Sequence, residues 1–168
     1  MSRRPELGDI AGAIIDANLY MTLGTAGEDD WPWVTPVYYS AGEYSEFYWV
    51  SDPEATHSRN IAARPHVSIV IFNSQTPIGT AQAVYMSGVA EELTGVDRDR
   101  GIEVFSRGAH AQGAGTWTSD RVQPPARLRL YRATVSQHSI LCPRTYPGPC
   151  HIHGRTGDHR IAVDLQRQ

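Results

Sequence analysis

Between Ser51 and Asn60 the stretch SDPEATHSRN sets the hydroxyls of Ser51, Thr56 and Ser58 beside His57, Arg59 and Asn60. Asp52 followed by Pro53 predicts a helix start, an acidic N-cap and then proline at the first helical position. That helix is expected to reach about Arg64 and to stop before Pro65, because a residue preceding proline resists the helical conformation. A helix N-terminus offers unpaired backbone N–H groups and a partial positive charge. With hydroxyls and a guanidinium close by, it becomes a cradle for an anion such as a phosphate. The plain alternative is a surface helix whose first turns are polar.

A second group of reactive side chains lies near the C-terminus. CPRTYPGPCHIHGRTGDH contains Cys142, Cys150, His151, His153 and His159. Structural zinc takes four such ligands. The spacing, with no CxxC and one H-x-H, matches no zinc pattern, so no metal is expected there. Two cysteines are too few for a disulfide framework, and a disulfide is disfavoured in a reducing compartment. His66, His110 and His138 could each serve a haem as axial ligand, although none sits in a distinctive motif.

The chain that must position these groups has 168 residues, 40% of them hydrophobic, which suits a single domain over 1–168 with a proper core. A formal net charge of -3 argues against a general nucleic-acid partner, which needs a basic face. Lysine is absent, and every fixed positive side chain is arginine. The basic opening MSRRPELGDI leads into no apolar run of the kind a signal peptide needs. No apolar stretch approaches the roughly 20 residues of a membrane span. The expectation is a soluble, cytoplasmic protein with no membrane partner.

Periodicity predicts an amphipathic helix over about 8–17 and a half-buried strand in LYMTLGTA, with Leu19, Met21 and Leu23 on one face. WVTPVYYS and SEFYWVS read as strands joined by the turn AGEY. HVSIVIF reads as a strand covered on both faces. QAVYMSGVAEEL reads as a strand with Val84, Met86 and Val89 inward and a bulge or close backbone approach at Gly88. VDRDRGIEVFSRG predicts a helix, AQGAGTWTSDRVQPPA a long loop, and RLRLYRATVSQHSIL a long strand exposed on one side. IAVDL is a last short strand. About six strands, mostly linked by hairpins, favour a mainly β fold: a six-stranded antiparallel barrel of Greek-key type with peripheral helices. Its core is expected over about 18–140, with a turn-rich tail over 141–168.

The order of LYMTLGTAGEDDWPWVTPVYY, FYWVSDPEATHSRNI, RPHVSIVIF and VYMSGVAEEL resembles the FMN-binding split barrels of the pyridoxamine 5′-phosphate oxidase superfamily. The resemblance implies an FMN cofactor whose ring lies along Thr35, Pro36 and Val37, largely against backbone groups. Trp49, Val50 and Ser51 would line the ribityl chain, and Thr56, His57, Ser58, Arg59 and Asn60 would hold the phosphate. His57 stands where the family carries a fixed positive charge, which leaves the phosphate to Arg59 or to a partly protonated His57. The resemblance also implies a homodimer with cofactors at the interface, for which Trp31, Trp33, Tyr38, Tyr39, Tyr44 and Trp49 would supply aromatic surface. An FMN-dependent oxidoreductase of unidentified substrate follows, with no catalytic acid or nucleophile evident. The alternatives are a reductase using a deazaflavin coenzyme, whose acidic tail Arg98, Arg100, Arg107 and Arg121 could meet, and a non-catalytic flavin- or haem-binding module. The superfamily's C-terminal Arg-x-His, which binds pyridoxamine phosphate, has no counterpart here.

Overall fold

The computed structural model describes residues 7–142, 148–150 and 152–165. Three helices, one short 3-10 turn and eight strands follow the chain as α1 (Leu7–Ala17), β1 (Tyr20–Ala26), β2 (Pro32–Tyr38), β3 (Ser40–Gly42), β4 (Glu46–Ser51), α2 (Thr56–Ala63), β5 (His66–Phe72), β6 (Ala83–Glu92), α3 (Gly95–Ala111), the turn Ser119–Val122, β7 (Arg129–Leu141) and β8 (Arg160–Val163). The strands form one antiparallel sheet in the order β2-β1-β5-β6-β7-β4-β3, with β8 added to β7.

β2 and β3 stand at opposite ends of that order yet are consecutive in the chain, separated by Tyr39 alone. The sheet must therefore curl until its two edges meet, and it closes through the covalent chain. The Tyr39 hydroxyl donates to the Ile15 carbonyl at 2.5 Å, fixing the bend against α1. Eight strands replace the expected six because the long second strand breaks at Tyr39 and because β8 lies outside the barrel circuit.

Alternation fills the interior. Met21 and Leu23 from β1, Phe47 and Trp49 from β4, Ile69 and Ile71 from β5, and Val84 and Met86 from β6 are buried in one cluster with Tyr131 of β7. α1 lays Leu7, Ile10, Ala11, Ile14 and Ile15 onto that cluster, at the helical spacing the sequence shows. α3 covers a second cluster outside the barrel, where Ile102 and Phe105 meet Tyr48 and Leu130.

Three details differ from the sequence reading. β5 is buried on one face, with His66, Ser68 and Phe72 exposed, because no second layer among the described residues covers its outer side. Val89 points outward, since the two-residue period that buries Val84, Met86, Gly88 and Ala90 leaves it on the other face. Leu19 precedes β1 and is exposed, while Met21 and Leu23 are inward. The expected irregularity at Gly88 is present: the register shifts between Ser87 and Gly88, and a Cβ on Gly88 would collide with the Thr134 carbonyl.

Candidate cofactor site

The segment from β4 to α2 is built by a turn. Asp52 Oδ1 accepts a hydrogen bond from the Glu54 N–H at 2.9 Å, and the Ala55 N–H donates to the Asp52 carbonyl at 3.0 Å. Aspartate then proline at the first two positions is what such a β-turn favours, so α2 starts at Thr56 and not at Pro53. The Glu54 N–H, and then the Arg127 guanidinium 2.6 Å away, hold the Asp52 carboxyl below its usual range. Ala55 is left as N-cap with no side-chain hydrogen bond to offer. Nothing on the cap residue therefore occupies the N–H groups of the first turn. The far end of α2 matches expectation, at Ala63 with Arg64 as C-cap.

α2 turns much of its polar sequence inward. His57 is buried, and its Nε2 lies 2.8 Å from Ser51 Oγ at the end of β4. Burial pushes the imidazole below its ordinary value, which favours a neutral ring over a partly protonated one. Asn60 Nδ2 donates to Thr25 Oγ1 at 3.0 Å, tying α2 to β1. Ser58 Oγ is buried facing the Tyr131 hydroxyl, without a hydrogen bond of good geometry. Arg59 remains at the surface. Its Nη1 donates to the Glu54 carbonyl at 2.6 Å and lies 3.8 Å from the Glu54 carboxylate.

The structure brings Ser51 together with Thr56–Asn60. α2 packs on β1 and touches β2, and β2 approaches β4. β2 is an end strand of the sheet, with one backbone edge outside the ladder. Thr35 and Val37 are half-buried and Pro36 is exposed. Trp49 is fully buried and stacked on Tyr131, with ring centroids 5.7 Å apart and 17° between planes. Its side chain belongs to the core, whereas Val50 and Ser51 are half-buried. Of the six rings expected at an interface, Tyr39 and Trp49 are buried, Tyr38 and Tyr44 are half-buried, and Trp31 and Trp33 are exposed.

Among the arginines considered for an acidic coenzyme tail, Arg98 pairs with Asp99 at 2.8 Å and Arg121 lies over the Trp117 ring at 3.9 Å. Of the histidines considered for haem, His138 Nε2 is 2.7 Å from the Tyr44 carbonyl. His66 borders an open apolar groove with Trp33, Val34, Val67 and Val89. The tail brings Cys142, Cys150, His153 and His159 into one cluster, whereas His151 lies outside the described residues. All four are among the candidates read from the sequence, where their spacing matches no zinc pattern; the pairing of β7 with β8 is what brings Cys142 beside His159.

Residues 10–142 match the sequence pattern of the family described as Pyridoxamine 5′-phosphate oxidase. No curated protein matches the chain in sequence. Solved structures share the fold. A haem-binding protein from Mycobacterium smegmatis is 18% identical with a TM-score of 0.67, over 96% of this chain and 60% of that one. The chain thus spans less than two thirds of that relative. HutZ, the haem storage protein from Vibrio cholerae, is 16% identical with a TM-score of 0.59, over 75% of this chain and 87% of that one. A Listeria innocua protein assigned provisionally as a pyridoxamine 5′-phosphate oxidase is 16% identical with a TM-score of 0.57, over 79% and 96% of the two chains. No described helix is long and apolar enough to cross a membrane.

Proposed function

From the premise that the chain belongs to the pyridoxamine 5′-phosphate oxidase family, matched over residues 10–142, we propose that it binds FMN as a homodimer and acts as an oxidoreductase on a small substrate. The observation that carries this reading is the first turn of α2, left without a side-chain cap by Ala55 and set beside Ser51 and Arg59. A dianionic phosphate there would accept from the N–H groups of Thr56, His57 and Ser58. With the His57 ring favoured neutral, Arg59 supplies the fixed charge, exchanging Glu54 for the phosphate. Val50 and Ser51 face the ribityl chain, and the backbone of Thr35–Val37 on β2 meets the ring. The exposed Trp31, Trp33 and Val34 give a second copy an apolar surface beside it. Bound flavin supplies the electron transfer, and the protein supplies position and electrostatics.

The test is a fluorescence titration of wild type and Arg59→Ala with FMN and with riboflavin, which lacks the phosphate. A charge-assisted hydrogen bond contributes about 1.5–3 kcal/mol, so FMN binding should weaken by about ten- to a hundredfold while riboflavin changes little. Equal losses would assign Arg59 to the fold. No loss with either ligand would remove the phosphate from the start of α2.

A second reading is haem binding without catalysis, favoured by His66 at the rim of the apolar groove and by the haem-binding relatives of the same fold. The visible spectrum of the purified protein separates the two. A Soret band supports haem, and flavin bands that bleach on reduction support FMN. A deazaflavin in place of FMN would be identified by the mass of the copurified ligand.

A further inference from the structure

The β7–β8 hairpin ends in side chains that the flavin site does not use. Leu141 pairs with Arg160 as the last rung of the ladder. One step beyond, the Cys142 N–H donates to the His159 carbonyl at 2.8 Å, so the hairpin delivers a cysteine and a histidine side by side at its open end. A tight turn supplies two more. The Gly154 N–H donates to the Cys150 carbonyl at 2.9 Å, and the Cys150 N–H to the Arg155 carbonyl at 2.8 Å. Gly154 has φ +66, a conformation open to glycine, and closes the turn behind His153. Within the turn the His153 N–H donates to Cys150 Sγ at 3.2 Å, aiming the sulfur at the same point as the His153 ring.

The ligand atoms are spaced as the corners of a tetrahedron. His153 Nδ1 lies 3.5 Å from Cys142 Sγ and 3.7 Å from Cys150 Sγ. His159 Nε2 lies 3.7 Å from Cys150 Sγ and 3.4 Å from His153 Nδ1. All four atoms are within 4.8 Å of one another. A tetrahedral ion with metal–sulfur bonds of about 2.3 Å and metal–nitrogen bonds of about 2.05 Å has sulfur–nitrogen edges of about 3.5 Å and nitrogen–nitrogen edges of about 3.4 Å. The second ring nitrogen of His159 is also arranged for this. Nδ1 lies 3.0 Å from the Gly157 carbonyl, which can only accept, so Nδ1 carries the proton and Nε2 presents its lone pair inward. Both cysteines are buried, and no disulfide joins them.

We infer that Cys142, Cys150, His153 and His159 bind one zinc-class divalent cation in a closed Cys2His2 site. Binding releases the two thiol protons, and two thiolates neutralise the dication. Four protein ligands leave no open position, so the ion is structural. It fastens the tail to the end of β7 and thereby holds β8 in its ladder, with Val163 and Leu165 against the main core. Three of the four ligands lie beyond the residues that match the family, which end at Cys142. The site is thus a property of this tail and stands independently of flavin binding.

The full chain, purified in reductant without chelator, should carry about one zinc per chain by elemental analysis, and the apoprotein should take up about one Co(II) with the intense visible bands of a tetrahedral thiolate site. Zinc should then bleach those bands. Cys150→Ser and His153→Gln should each lose the bands, and His110→Gln, on α3, should keep them. Should the tail variants fail to fold, wild type decides alone: its two thiols should resist a disulfide reagent as isolated and react after chelation. FMN affinity should not change between the zinc-loaded and chelated forms. A folded wild-type chain that binds no Co(II) under reduction would overturn the assignment, as would a Cys142–Cys150 disulfide in freshly isolated protein.

Discussion

His57 Nε2 and Ser51 Oγ lie 2.8 Å apart and join the first turn of α2 to the last residue of β4. Burial lowers the affinity of that ring for a proton, while in the unfolded chain it titrates near its ordinary value of about 6.5. Below that pH the unfolded state binds more protons than the folded state, so acid favours unfolding. The stability linked to His57 is full above about pH 6.5 and is lost as pH falls toward the depressed folded value. The melting temperature should drop between pH 8 and pH 5, and His57→Gln should flatten part of that fall. A variant with the wild-type pH profile would mean that the buried ring does not titrate with folding.

Asn60 faces Thr25 across the α2–β1 contact, and a Cβ on Gly27 would lie 2.9 Å from Asn60 Oδ1. Its side chain is therefore part of the packing. Asn60→Ala leaves the buried Thr25 hydroxyl without this donor and should cost about 1–3 kcal/mol in urea denaturation. FMN and riboflavin should weaken together, in contrast with Arg59→Ala. A selective loss of FMN would place Asn60 on the phosphate.

On β2, Val34 is 63% exposed and Trp33 42%, with Trp31 next to the strand at 71%. If this surface is the homodimer face, light scattering should give a dimer mass for wild type and a monomer mass for Val34→Glu, with the circular dichroism of the fold retained. A wild-type monomer at micromolar concentration would end the dimer proposal. A variant that remains dimeric would move the interface elsewhere.

Gly88 has no room for a methyl group, because the Thr134 carbonyl stands where the Cβ would be. The obstacle is backbone, which cannot rotate away. Gly88→Ala should destabilise the fold by about 3 kcal/mol, read as a lower urea midpoint with an unchanged slope.

Much of this architecture is visible in the chain itself. Alternation in YMTLGTA and the long β7 segment each fixes a face, and the aliphatic spacing of α1 marks its buried stripe. The limits are equally specific. Asp52-Pro53 suits a helix start and a β-turn alike, and the choice depends on hydrogen bonds made by Glu54 and Ala55. The apolar run of β5 cannot say whether a second layer will cover it. In α2 the residue types suggest a polar surface, yet His57, Ser58 and Asn60 are buried; His57 meets Ser51 across the β4–α2 turn, and Asn60 meets Thr25 on β1, 35 residues away in the chain. The tail cluster is the extreme case: Cys142 and His159 become neighbours through strand pairing, which no local motif records.

The position of β7 in the sheet has a consequence for biosynthesis. β7 pairs with β6 on one side and β4 on the other. Before Arg129–Leu141 has left the ribosome, the pairings available are β2-β1-β5-β6 and the separate hairpin β3-β4, two leaves joined through Tyr39. Phe47 and Trp49, later fully buried, wait on the smaller leaf without their strand partner. Closure depends on contacts far apart in sequence, the kind that form slowly. Until then the nascent chain presents an open apolar trough to chaperones and proteases, and the last strand of the circuit to emerge is the one that shuts it.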